Sequence, residues 1–159
     1  MNRIYNNLNE CIHTVLKLAS EFAIDGVNNQ IGGPFGAGII QTLKKDEYRI
    51  LNIERNNVIS TQDITGHAEI NAIKKASRIL DRIDLNDCIL VSTAKSCPMC
   101  LSAACWANIK TVYYGVDYSC ANASGFKDSQ ILDYLKGNNN SIIKENKINS
   151  DVCQTPFEI

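Results

Sequence analysis

Two short apolar runs, Cys88-Ile89-Leu90-Val91 and Thr111 to Val116, constrain this chain more than any other feature. Neither alternates polar with apolar residues, so each reads as a strand covered on both faces. Between them Pro98 suits the first turn of a helix, which is expected from Cys97 or Pro98 through Leu101, Ala104 and Cys105 to about Asn108. Upstream, Ala37 to Leu43 and Tyr48 to Ile53 read as strands joined by the polar turn Lys44 to Glu47. A helix from Gly66 or His67, with Ile70, Ile73, Ala76 and Leu80 on its buried side, follows this pair. A hairpin followed by helix–strand–helix–strand–helix predicts an α/β fold. The expectation is a three-layer helix/sheet/helix sandwich with a central mixed sheet of about five strands. With 159 residues and 45% apolar content, a single domain over 1–159 can bury such a core.

The ends of the chain complete the pattern. From Ile4 to Ile24, Leu8, Ile12, Val15, Ala19 and Phe22 recur at helical spacing, and Asp25-Gly26 is expected to stop that helix. Asn28 to Gly38 reads as loop, with Gly32, Gly33, Pro34 and Gly36 crowded around Phe35. Asp128 to Lys136 reads as a short helix, Asn138-Asn139-Asn140 as a turn and Ser141 to Ile148 as an edge strand.

Charge excludes several classes of function. Sixteen Lys and Arg against 17 Asp and Glu leave a formal net charge of −1, so neither a nucleic-acid partner nor a polybasic membrane contact is expected. No run approaches the roughly 18 apolar residues of a spanning helix. The opening MNRIYNNLNE lacks the apolar centre of a signal peptide, which points to the cytoplasm. In a reducing compartment, isolated cysteines such as Cys11, Cys88, Cys105, Cys120 and Cys153 are usually small apolar residues. Cys97 and Cys100 alone form a C-x-x-C, a spacing that suggests metal or redox chemistry.

His67-Ala68-Glu69 and, thirty positions on, Cys97-Pro98-Met99-Cys100 carry the chemical information. Zinc takes imidazole and thiolate ligands in a tetrahedron, and three protein ligands leave one corner for water. Cys97 and Cys100, across the first turn of a helix, can face one ion, and the helix N-terminus favours thiolates. His67 completes the set from the preceding helix. Glu69 would sit beside the metal rather than on it, where it can take a proton from the water and deliver it to a substrate. The competing reading is a structural zinc site in a non-enzymatic binding module, with Cys88 or Cys120 as a fourth ligand. His13, the only other histidine, reads as a surface or hydrogen-bonded residue of the first helix.

These residues resemble the H-x-E and P-C-x-x-C motifs of zinc nucleobase deaminases, with Ser96 where the pattern has Pro. The chain is similar to the cytidine/deoxycytidylate deaminase superfamily from about Leu8 to Leu135, and most similar to its bacterial guanine deaminase branch. Gly32 to Ala37, Asn56-Asn57-Val58, Thr65 to Glu69, Cys97 to Leu101 and Ala104 to Ala107 carry the likeness. Gly125-Phe126-Lys127-Asp128, after Tyr113-Tyr114-Gly115, resembles the stretch separating guanine deaminases from tRNA adenosine deaminases. The family commonly has Glu-Pro where Lys95-Ser96 stand, and residues 138–159 follow no family pattern.

The resemblance implies a cytidine deaminase-like fold and a zinc-dependent hydrolase acting on amidine-type C–N bonds. His67, Cys97 and Cys100 would hold Zn2+, and Glu69 would be catalytic. Substrate would meet Ala68 through its backbone N–H, Asn56 through either end of its amide, Phe35 and Trp106 as walls, and Asp128 at the exocyclic amine. The implied reaction converts guanine to xanthine and ammonia, within purine catabolism, in a homodimer whose partner is a small purine. Alternatives are guanosine, cytidine or adenosine in tRNA as substrate. Phe35 and Trp106 also read as plain core aromatics, Asn56 as a turn residue and Asp128 as a helix N-cap.

Overall fold

A computed structural model of the chain describes residues 3–138, 142–148 and 151–158. Strand β1 (Ile4–Tyr5) leads into helix α1 (Leu8–Asn28), and β2 (Gly36–Lys44) and β3 (Glu47–Arg55) form a hairpin. The short helix α2 (Val58–Thr61) precedes α3 (Ala68–Leu80), β4 (Cys88–Ala94), α4 (Pro98–Trp106) and β5 (Thr111–Val116). Helices α5 (Tyr118–Ala123) and α6 (Asp128–Leu135) follow, then two 3-10 turns at Asp151–Cys153 and Thr155–Phe157.

The sheet runs β1-β3-β2-β4-β5, with β4 and β5 parallel and every other neighbouring pair antiparallel. Successive side chains of a strand face opposite ways, so β2 and β4 each feed two cores. Ile40 and Val91 pack with Ile50 against Cys11, Ile12 and Val15 of α1. Ile39 and Leu90 pack on the other face against Ala72, Ile73 and Ala76 of α3, joined by Ala104 of α4. This is the expected helix/sheet/helix sandwich, and Leu90-Val91 shows why the apolar run does not alternate.

The first helix departs from expectation at both ends. Ile4 and Tyr5 pair with Arg49 and Tyr48 as a strand, and the helix begins after Asn7, whose Oδ1 accepts the Glu10 N–H at 3.1 Å. Asp25-Gly26 does not stop it. A Cβ at Gly26 would stand 3.0 Å from Arg55 Cδ, so the glycine makes room for a side chain from β3 rather than a turn. Arg55 pairs there with Asp25 and covers the Phe22 ring at 4.2 Å. The helix ends where the Asn29 backbone N–H and Nδ2 donate to Asp25 O at 3.0 and 2.8 Å.

Two strand expectations also need correction. Thr111–Val116 forms a strand over the expected residues, but as the last strand of the sheet it leaves Tyr113, Tyr114 and Val116 39%, 45% and 44% exposed. Residues 142–148 form no strand on either edge of the sheet, and Ile142, Ile143 and Ile148 lie exposed. Ser141 of that expected strand, and Asn139 and Asn140 of the expected turn, fall outside the described residues. Among the described residues no helix is long and apolar enough to cross a membrane.

Candidate active site

Two helix N-termini meet at the end of β4. His67 is the N-cap residue of α3 and Cys97 that of α4, with Cys100 one turn into the helix. The chain before His67 is held by Asn57 N–H, which donates to Gly66 O at 2.9 Å, while Asn71 Nδ2 bridges to Asn57 Oδ1 at 3.0 Å. The chain before Cys97 is held by Lys95 N–H on Val116 O and by the Tyr118 hydroxyl on Ser96 O, both at 2.7 Å. Both anchors of α4 therefore come from β5 and α5, elements later in the chain.

His67 Nδ1 lies 3.5 Å from Cys97 Sγ and 3.6 Å from Cys100 Sγ, and the two sulfurs are 3.6 Å apart. A tetrahedral ion with bonds of roughly 2.0–2.3 Å has edges of roughly 3.5–3.8 Å, so these three donors fit zinc without rearrangement. Among the described residues only these three form such a cluster, so neither Cys88 nor Cys120 supplies a fourth ligand. The sulfurs are electrostatically unequal. The Cys100 thiol, donating to Cys97, and the His67 ring hold Cys97 well below the usual thiol range, and the Cys97 thiolate pushes His67 up.

Glu69, on the first turn of α3, is 5% exposed, and burial pushes its carboxyl up. Ser92 Oγ lies 3.1 Å from Glu69 Oε1 and 2.7 Å from Ala94 O, so its one proton can serve either acceptor. A carboxyl that is easily protonated, beside three zinc donors, can both accept and return a proton.

A cavity of about 30 Å³ adjoins these groups, lined by Phe35, Asn56, His67, Glu69, Lys95, Cys97, Phe126 and Asp128. Asn56 is buried, and its Oδ1 accepts the N–H groups of Gly33 and Val58, each at 3.1 Å. Its carbonyl is thereby occupied and Nδ2 remains to donate, which decides between the two ends of the amide. The same packing explains Gly32, where a Cβ would stand 2.2 Å from Asn56 O. Ala68, fully buried, opens α3, where helix N–H groups have no partner within the helix. Asp128 is the first residue of α6, one place inside Lys127 at the N-cap, and burial pushes its carboxyl up.

Trp106 is not brought to this cavity. It ends α4, nine residues beyond Cys97 and so roughly 13 Å along the axis, and is 89% exposed rather than a core aromatic. Its place beside Phe35 is taken by Phe126, whose ring meets that of Phe35 edge-on at 4.7 Å. Phe126 and Lys95 are pocket residues whose role the motifs did not identify, although each lies within a stretch singled out above. The signals were there: Phe126 stands two places before Asp128, and Lys95 two before Cys97.

Three donors with an open fourth corner and a buried carboxyl define a zinc hydrolase rather than a structural zinc knot. Residues 9–116 match the family described as the cytidine and deoxycytidylate deaminase zinc-binding region. A guanine deaminase of Bacillus subtilis (strain 168) is 44% identical over 118 residues, covering 74% of this chain and 72% of that protein. An X-ray structure of guanine deaminase from Bacillus subtilis superposes with a TM-score of 0.81 and 37% identity, over 92% of this chain and 90% of that one. A tRNA-specific adenosine deaminase of Rickettsia bellii is 31% identical over 86 residues, 54% of this chain and 57% of that protein. The chain belongs to the cytidine and deoxycytidylate deaminase family. Its class is that of zinc-dependent hydrolases acting on C–N bonds.

Proposed function

We propose that this protein hydrolyses guanine to xanthine and ammonia. The observation carrying this reading is that Phe126 and Asp128 line the same cavity as His67, Cys97 and Glu69, in a chain 44% identical to a guanine deaminase. Bound by His67, Cys97 and Cys100, zinc supplies Lewis acidity that makes water a nucleophile near neutral pH. Glu69 takes a proton from the attacking water. It passes that proton to the ring nitrogen, then takes the second proton from the added hydroxyl and gives it to the amine, which leaves as ammonia as the C–N bond breaks and the carbon–oxygen double bond forms. The Ala68 N–H and Asn56 Nδ2 donate to acceptors of the base, Asp128 accepts from the N–H edge next to the reacting carbon, and Phe35 forms one wall. The Phe35–Phe126 pair narrows this cavity, and the adjoining cavity of about 310 Å³ leaves the Phe126 ring room to move as the base enters.

The same reading takes residues 1–159 as one deaminase domain, since α6 brings Asp128 to the site beyond the 9–116 family match. It places the protein in the cytoplasm, where reducing conditions keep Cys97 and Cys100 as thiols. It includes a homodimer without nucleic-acid or membrane partners, supported by exposed Trp106, Tyr113, Tyr114 and Val116 around β5. Light scattering should give twice the chain mass. Ammonia release from guanine, guanosine, cytidine and an adenosine-containing tRNA tests the substrate. Turnover confined to guanine is expected, and turnover of tRNA alone would replace this reading with the adenosine deaminase one.

A further inference from the structure

Strand β4 turns polar as it nears the site: after Cys88-Ile89-Leu90-Val91 comes Ser92, which is 1% exposed. Its backbone is fixed from both sides, paired with Ala37 of β2 and Tyr114 of β5. Ser92 lies two places past Leu90, so its side chain shares the face that packs against α3. There Ser92 Oγ meets Glu69 Oε1 at 3.1 Å and Ala94 O at 2.7 Å. Packing alone does not call for a hydroxyl at this depth, since an alanine would bring no polar group to satisfy. The hydroxyl bears on Oε1, which leaves Oε2 as the oxygen free to work on the attacking water and the ring.

We infer that Ser92 is a positioning residue that holds Glu69 by Oε1 so that Oε2 carries the protons. This rests on the deaminase reading above, in which Glu69 is the shuttle. The last torsion of a glutamate is broad and roughly two-fold, so a carboxyl without a partner spreads over orientations in which neither oxygen faces the reacting atoms. A hydroxyl on a strand hydrogen-bonded on both sides removes that freedom. While Glu69 holds no proton, the Ser92 O–H donates to Oε1, and the carboxylate charge strengthens the bond. Once the carboxyl carries a proton and attracts the hydroxyl less, Ala94 O remains as acceptor, so the buried hydroxyl is never stranded. Ser92 neither gains nor loses a proton in this role; its O–H only turns.

Ser92→Ala in the zinc-loaded enzyme tests the assignment. Losing a hydrogen bond to a charged group should lower kcat by about tenfold to hundredfold, with KM, zinc content and melting temperature close to wild type. Ser92→Thr, which returns the hydroxyl, should recover most of kcat. Crystal structures give a readout independent of turnover: the Glu69 carboxyl should hold one orientation in wild type and Ser92→Thr, and spread over several in Ser92→Ala. If the added methyl of Ser92→Thr lowers the melting temperature, Ser92→Ala against wild type decides. Full kcat in Ser92→Ala, a loss of kcat that tracks lost zinc, or a Glu69 carboxyl that keeps its single orientation there would overturn the role of Ser92. Each rate is measured on whichever base of the panel above wild type turns over. Activity on a base other than guanine would overturn the guanine reading and leave the Ser92 comparison intact, whereas no activity on any base would overturn both.

Discussion

The chain up to Val116 and the chain after it contribute to the site in opposite ways. The earlier part packs two cores against one sheet and supplies the zinc donors and Glu69 from two helix N-termini. In the later part Ala121 is the only buried residue among those described, yet it contributes Phe126 and Asp128 to the cavity. Groups that perform the chemistry must be held to a few tenths of an ångström, so they sit on elements fixed by the core. On the proposed reading Asn56, Ala68 and Phe35 meet the base from the core-packed part, while Asp128 meets it from a less tightly packed segment, where a change of side chain costs the fold little.

The largest expected effect would break this division if it failed. Glu69→Gln keeps volume while removing the proton carrier, so turnover should fall by about 10⁴-fold. Zinc content by metal analysis should stay at one per chain, and near-normal ammonia release would remove Glu69 from the mechanism. Asp128→Ala, in the later segment, should lower guanine turnover by about tenfold or more while sparing zinc and melting temperature. A lowered melting temperature with intact turnover would instead return Asp128 to a helix-end role. Smallest is Asn7→Ala, far from the site, where the lost cap should cost about 1 kcal/mol and leave the turnover rate alone. A thermal melt shifted by roughly 2–4 °C would register it.

What was legible in the sequence follows the same division. Leu90-Val91 and the HAE and CPMC motifs are local patterns whose geometry is dictated by neighbours in sequence, and they led directly to the sheet and the zinc donors. Gly26 misled because its meaning depends on Arg55 of β3, a contact that helical periodicity does not encode. Strand β1, two residues long, has too few positions to show a period and exists by pairing with Arg49 and Tyr48. Trp106 looked like a pocket wall by kinship, but its place at the far end of α4 turns it away. The donor-only state of Asn56 depends on Gly33 and Val58 amides converging from both sides, which no linear reading contains.

The cavity of about 30 Å³ lined by the Phe35–Phe126 pair has a kinetic consequence. A narrow chamber with an aromatic pair in its wall ties entry and exit to the parting of that pair, and such openings often set the pace of an enzyme. Chemistry and escape then run on separate clocks. In rapid mixing, the first equivalent of ammonia would appear as a burst ahead of the steady rate, and added viscosity would slow the later cycles while leaving the burst unchanged.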